Sequence, residues 1–202
     1  MSAAARVDWV ARSKGLLLPA LAVPLALVLW RGFHGHLADP AKALVDTAGL
    51  WALHCLLLSL AMTPLRILTG RSFWIRYRRL LGVYALFYAL LHVSAYVFLL
   101  FGARWDYLGV ELTKRPYVMV GALALLLMLP LGITSTRGWQ RRLKKGWVRL
   151  HKLVYPLALL ALIHFAWVKK LGFEAVWPYA AVLFLLYFIR IWRYFRQSNR
   201  ES

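Results

Sequence analysis

The sequence predicts an all-α protein: six hydrophobic helices that cross a membrane as one bundle. Three observations predict it. The 202-residue chain is 62% hydrophobic and 15% aromatic, more apolar sequence than a soluble domain of this size can bury. Its apolar residues fall into six runs of roughly membrane-crossing length. Its 26 Lys and Arg stand against only 7 Asp and Glu and gather between those runs. A nucleic-acid binder would not hold such runs, so the +19 charge is read as topology and contact with anionic lipid.

In chain order the expected helices are Gly15 to Trp30, Leu44 to Leu65, Leu80 to Phe101, Tyr117 to Ile133, His151 to Val168 and Val176 to Trp192, within a single domain over residues 1–202. Each is long enough, or nearly so, to cross ~30 Å of hydrocarbon at about 1.5 Å per residue. The first run follows Arg12 and Lys14, as a signal peptide would, but RGFHGHLADP offers no small-x-small cleavage site directly after it and five more runs follow. It is read as a retained helix. Pro19, Pro24, Pro130, Pro156 and Pro178 would stop soluble helices but are accommodated by neighbours in lipid. Cys55 has no intramolecular partner, so no disulfide framework exists.

The basic residues orient the bundle. Nineteen lie in the N-terminal segment, the second and fourth connections and the C-terminus, against seven (Arg31, Lys42, Arg104, Lys114, Arg115, Lys169, Lys170) on the other side. Both termini are therefore expected in the cytoplasm.

Histidines inside the apolar runs need a reason, because ionisable groups at that depth are costly and functional. His92 lies in YALLHVSAY of the third helix and His164 in ALIHFAW of the fifth. Counted from Arg79 and Arg149, they lie ~20 and ~22 Å across the membrane, at one level. Both helices run outward, so the two imidazoles are expected to face one another as axial ligands of a haem iron in the outer half. The alternative for either one is a proton relay or an interhelical hydrogen bond.

His151 stands at the cytoplasmic margin, ~20 Å below His164, a separation that suits a second haem. Two features weigh against it. Thirteen residues leave the two side chains about 140° apart unless Pro156 distorts the helix, and the matching level of helix three offers Arg78 and Arg79 rather than histidine. His54, on helix two, is read as a substitute ligand or a hydrogen-bonded core residue. His34 and His36, in HGH, are read as a solvated loop before a metal pair, and Met62 as packing before an axial thioether. The basic cytoplasmic connections are read first as setting topology and meeting anionic lipid; the alternative for Arg78, Arg79, Arg149 and Lys152 is to neutralise haem propionates or a flavin phosphate as well. Trp74, Trp105, Trp139, Trp147 and Trp177 fall near helix ends as interfacial anchors.

Several short segments recur together in one family: Ala38-Asp39-Pro40, Thr63-Pro64-Leu65, Arg78-Arg79-Leu80-Leu81-Gly82 leading to Leu91-His92, Arg115-Pro116-Tyr117, Thr134-Ser135-Thr136, and Leu150-His151-Lys152-Leu153-Val154-Tyr155 followed by His164. Over nearly its whole length the chain resembles the MsrQ (YedZ) family. More distantly it resembles the ferric reductase and NADPH oxidase transmembrane domain. The resemblance implies b-type haem, one or two, held by His92, His164 and His151, and an associated flavin mononucleotide (FMN) whose site is not placed. It implies a subunit of the bacterial inner membrane that passes electrons from a cytoplasmic flavin reductase or the quinol pool to MsrP, a periplasmic molybdopterin enzyme that reduces methionine sulfoxide. Sulfoxide chemistry would then belong to the partner. The oxidase relatives carry two histidines on each of two helices; here Arg78 falls where the fourth would be, leaving the inner second ligand open. Two rival readings remain: a stand-alone ferric or quinone reductase, and a histidine-relay proton channel or transporter, which would be colourless.

Overall fold

The computed structural model describes residues 3–169 and 173–201; Lys170, one of the charges used for orientation, lies outside them. All regular structure among the described residues is helical: α1 Ala3–Phe33, α2 Pro40–Thr69, α3 Ile75–Ala95, α4 Leu108–Lys114, α5 Pro116–Ile133, α6 Arg137–Leu143, α7 Lys145–His151, α8 Val154–Lys169 and α9 Trp177–Glu201. Five stretches are long and apolar enough to cross a membrane: Arg12–Phe33, Pro40–Thr69, Ser72–Leu100, Pro116–Ile133 and Lys145–Val168. The sixth expected crossing is α9, whose apolar run from Trp177 is interrupted at Arg190.

The expected helices are present, with three local differences. Helix three begins earlier, at Ile75, and its last turns, Tyr96–Leu100, widen into a π-helix just beyond His92. Helix five is two pieces, α7 and α8, broken at Lys152 and Leu153. The break follows from Pro156, whose ring crowds the carbonyl four residues earlier. The connections also form short helices, α4 and α6, that a hydropathy reading passes over.

Caps and small residues explain the helix ends and their close packing. Asp39 N-caps α2 by accepting from the Lys42 amide at 2.9 Å, with Pro40 in the first turn. Gly70 ends α2 in the left-handed conformation, φ 68°. Helix α2 packs along α3, where Ala85 and Tyr88 are fully buried and Ser59 Oγ donates to the Arg78 carbonyl at 2.9 Å. Helix α5 packs along α8, where Ala158 is fully buried. Tyr84 and Tyr88, one turn apart on α3, tie α1 down by donating to the carbonyls of Leu18 and Leu21. Contacts between Ser13 and Tyr77 and between Arg190 and Tyr155 gather the two termini at one end of the bundle, the basic end. The outside is apolar: Leu126, Phe184 and Phe188 are all more than half exposed. Such a surface belongs in lipid, and the protein is a multi-pass membrane protein.

Candidate functional site

His92 on α3 and His164 on α8 meet in the half of the bundle away from the termini. Their ring centroids are 6.1 Å apart and the ring planes stand at 83°. Each ring is anchored in the same way. His92 Nδ1 lies 2.9 Å from the carbonyl oxygen of Val45 on α2, and His164 Nδ1 lies 2.7 Å from that of Tyr117 on α5. A carbonyl can only accept, so Nδ1 carries the proton in both rings and the lone pair is left on Nε2. That is the form of imidazole that binds metal, with the outer hydrogen bond fixing tautomer and ring orientation.

The space for each ring is made by a glycine one turn beyond its acceptor. A Cβ on Gly49, four residues after Val45, would lie 2.8 Å from His92 Nδ1. A Cβ on Gly121, four residues after Tyr117, would lie 2.7 Å from His164 Cε1. The pairs α2 with α3 and α5 with α8 thus repeat one device. Sequence reasoning passed over both glycines, whose only signal was their place inside apolar helices.

Beyond the pair, further polar groups link the ends of α3, α4 and α5. The Tyr96 hydroxyl donates to Glu111, Glu111 pairs with Arg115 at 3.2 Å, and Arg115 reaches the Tyr117 hydroxyl at 3.3 Å. The residue whose carbonyl anchors His164 is therefore held by its side chain as well.

A haem iron held between two histidines suits this donor set. At 6.1 Å between centroids the two rings are close enough for a single metal ion to be shared between them. No group of three or more His, Cys, Asp or Glu that could hold a metal ion occurs among the described residues.

The other histidines lie elsewhere. His151 closes α7 at the basic end, its Nδ1 3.1 Å from the Trp147 carbonyl and its ring stacked on the Trp147 indole at 3.9 Å. Trp147 Nε1 in turn donates to the Thr134 carbonyl at 2.9 Å. Arg78 is within electrostatic reach of His151, and no second imidazole is paired with it among the described residues. His54 Nε2 bonds the Tyr179 hydroxyl at 3.0 Å, its ring edge-on to Trp51, apart from the central pair. His34 and His36 are exposed, their rings stacked at 6.2 Å beside Trp30. Met62 is buried in the apolar core.

A family model described as "Ferric reductase like transmembrane component" matches residues 48–162, a stretch that contains His92 and His151 and ends two residues before His164. Over 200 residues the chain is 45% identical to the "Protein-methionine-sulfoxide reductase heme-binding subunit MsrQ" of Xanthomonas campestris pv. campestris (strain 8004), covering 96% of this chain and 91% of the relative. The chain belongs to the MsrQ family. The MsrQ of Xanthomonas axonopodis pv. citri (strain 306) is likewise 45% identical over 200 residues, 96% of this chain and 91% of the relative. That of Xanthomonas euvesicatoria pv. vesicatoria (strain 85-10) is 46% identical over 191 residues, covering 91% and 88%. Membership of MsrQ, and of the wider ferric reductase-like class, agrees with the reading of the fold as an all-α transmembrane bundle.

Proposed function

We propose that this chain is a haem b-bearing electron-transfer subunit of a bacterial inner membrane. Both termini are cytoplasmic, and the subunit conveys electrons outward from a cytoplasmic flavin reductase or the quinol pool to a periplasmic molybdopterin methionine sulfoxide reductase of the MsrP kind. His92 and His164 are the axial ligands in the outer half, and His151 is a ligand near the cytoplasmic margin. The observation that carries this reading is the His92–His164 pair, two imidazoles from different helices, 6.1 Å apart, each with its Nδ1 proton committed to a main-chain carbonyl. The name of the relatives, heme-binding subunit, supports it in kind. Orientation rests on the unequal distribution of Lys and Arg.

When bound, haem iron supplies one-electron chemistry. The chain's own residues prepare for it. The carbonyls of Val45 and Tyr117 keep Nε2 unprotonated and raise its basicity, and Gly49 and Gly121 let the rings lie against α2 and α5. Flavin mononucleotide belongs to the same reading as a further cofactor.

Membranes bearing the protein should give a dithionite-reduced b-type spectrum. His92→Ala and His164→Ala should each abolish the outer component, and His151→Ala should remove a separate one. Colourless protein, or a spectrum unchanged by the first two substitutions, rejects the assignment. Sulfoxide turnover on adding purified MsrP separates it from a stand-alone ferric or quinone reductase.

A further inference from the structure

Arg190 carries its guanidinium into the basic end of the bundle, between α2, α8 and α9. Nη1 donates to the Tyr155 hydroxyl at 2.7 Å and Nη2 to the Leu60 carbonyl, while Nε is buried with no hydrogen-bond partner. Leu60 is available because Pro64, four residues on, has no N–H to offer it. Beside Arg190 lies an open groove of about 320 Å³, lined also by Thr63 and Arg66 of α2 and by Arg193 and Tyr194 of α9.

Three guanidiniums share this groove, and Arg78 stands within electrostatic reach of Arg190. Among the described residues no carboxylate lines it. The ion pairs found among the described residues, Lys42–Asp46 and Arg115–Glu111, both lie at the opposite end. Arg190 and Arg193 are half-buried and Arg66 is exposed, and three like charges gathered so closely repel one another unless an anion joins them. Planar guanidinium forks match oxyanions by two-point hydrogen bonds. A tetrahedral phosphate can meet several forks at once, where a carboxylate has only two oxygens, and the Thr63 and Tyr155 hydroxyls are further polar neighbours.

We infer that this groove is a phosphate-oxyanion site. It takes the phosphate of an ester, either the headgroup of an anionic phospholipid arriving from the bilayer or a soluble ester such as flavin mononucleotide arriving from the aqueous side. Its soluble-ester arm rests on the flavin part of the proposed function, while the site itself uses none of the three histidines, so its failure leaves the haem assignment standing.

The test uses the full-length protein with its haem complement in phosphatidylcholine nanodiscs. One arm titrates flavin mononucleotide by fluorescence quenching, with riboflavin as the phosphate-free control. The other replaces part of the lipid with phosphatidylglycerol and counts, by mass spectrometry, the phosphatidylglycerol retained on extraction. Saturable binding of flavin mononucleotide but not riboflavin, weakened at least tenfold in R66Q/R193Q, assigns the site to a soluble ester. Retention of phosphatidylglycerol that is lost in R66Q/R193Q, without flavin binding, assigns it to lipid. An unchanged helical circular dichroism spectrum and thermal midpoint certify the fold of the variant, and Arg193→Gln alone should still weaken binding severalfold. The inference is overturned if neither ligand binds, if riboflavin binds as tightly as flavin mononucleotide, or if the arginine variants bind as well as the parent.

Discussion

Gly49 and His92 are in contact across the α2–α3 interface so closely that a single methyl group on the glycine would stand 2.8 Å from the imidazole Nδ1. That nitrogen is the one bonded to Val45 on the preceding turn of the same helix. Gly121 and His164 repeat the relationship on α5 and α8, at 2.7 Å.

Gly49→Ala and Gly121→Ala should therefore each displace an imidazole and break its Nδ1 bond. Overpacking of this kind costs about 1–3 kcal/mol, so haem retention should fall roughly five- to a hundredfold. Gly82→Ala is the control: its Cβ would meet only Ser59 Oγ, at 3.5 Å, an ordinary contact. Haem content measured per protein in the three purified variants decides the matter; equal loss in all three would mean the glycines act through general packing.

The 83° between the two ring planes makes a spectroscopic prediction. Imidazoles in perpendicular planes donate to different iron dπ orbitals and leave them nearly degenerate. The oxidised outer site should give a highly anisotropic low-spin EPR signal, lost in His92→Ala. A well-resolved rhombic signal would show that the rings lie closer to parallel.

Arg190 and Pro64 should be coupled. Arg190→Met orphans the Leu60 carbonyl and the Tyr155 hydroxyl, a loss of about 1–3 kcal/mol per buried group. Pro64→Ala supplies an amide to Leu60, so in that background the same substitution should cost about 1 kcal/mol less. Unfolding in mixed detergent micelles of the parent, both single variants and the double variant measures the difference; strict additivity would contradict the coupling.

His54 should prove dispensable for colour. Its ring is engaged with Tyr179 and Trp51 rather than with the central pair. His54→Ala and Tyr179→Phe are each expected to leave the reduced spectrum intact and to cost about 0.5–1 kcal/mol, typical of an interhelical hydrogen bond in a membrane. Loss of either spectral component in His54→Ala would make it a ligand.

Hydropathy reported how far the chain runs in lipid, and depth counting brought His92 and His164 to one level, because both depend only on rise per residue. Neither quantity contains rotation or local geometry. So the π-turns after Ala95 are not legible in the sequence, and of the break before Val154 only Pro156 gives a sign. The short recurring segments have plain structural work. Asp39 and Pro40 start α2, Pro116 starts α5 beside the carbonyl that anchors His164, and Thr134 and Thr136 end one helix and cap the next. In the sequence Arg190 is one of the nineteen basic residues on the side of the termini, with nothing to mark it from the rest. Pro64, which implied an orphan carbonyl at Leu60, was the one sign that some donor had to turn inward.

Because both anchoring acceptors are main-chain oxygens, no side-chain substitution can delete them. Mutation at position 45 or 117 alters what surrounds the bond while leaving the oxygen in place. Genetic fragility is shifted instead onto two positions that have no side chain at all, where almost any replacement is an addition. A mutational survey reading importance from chemical functionality would overlook them, and the most sensitive sites of the bundle would be its plainest residues.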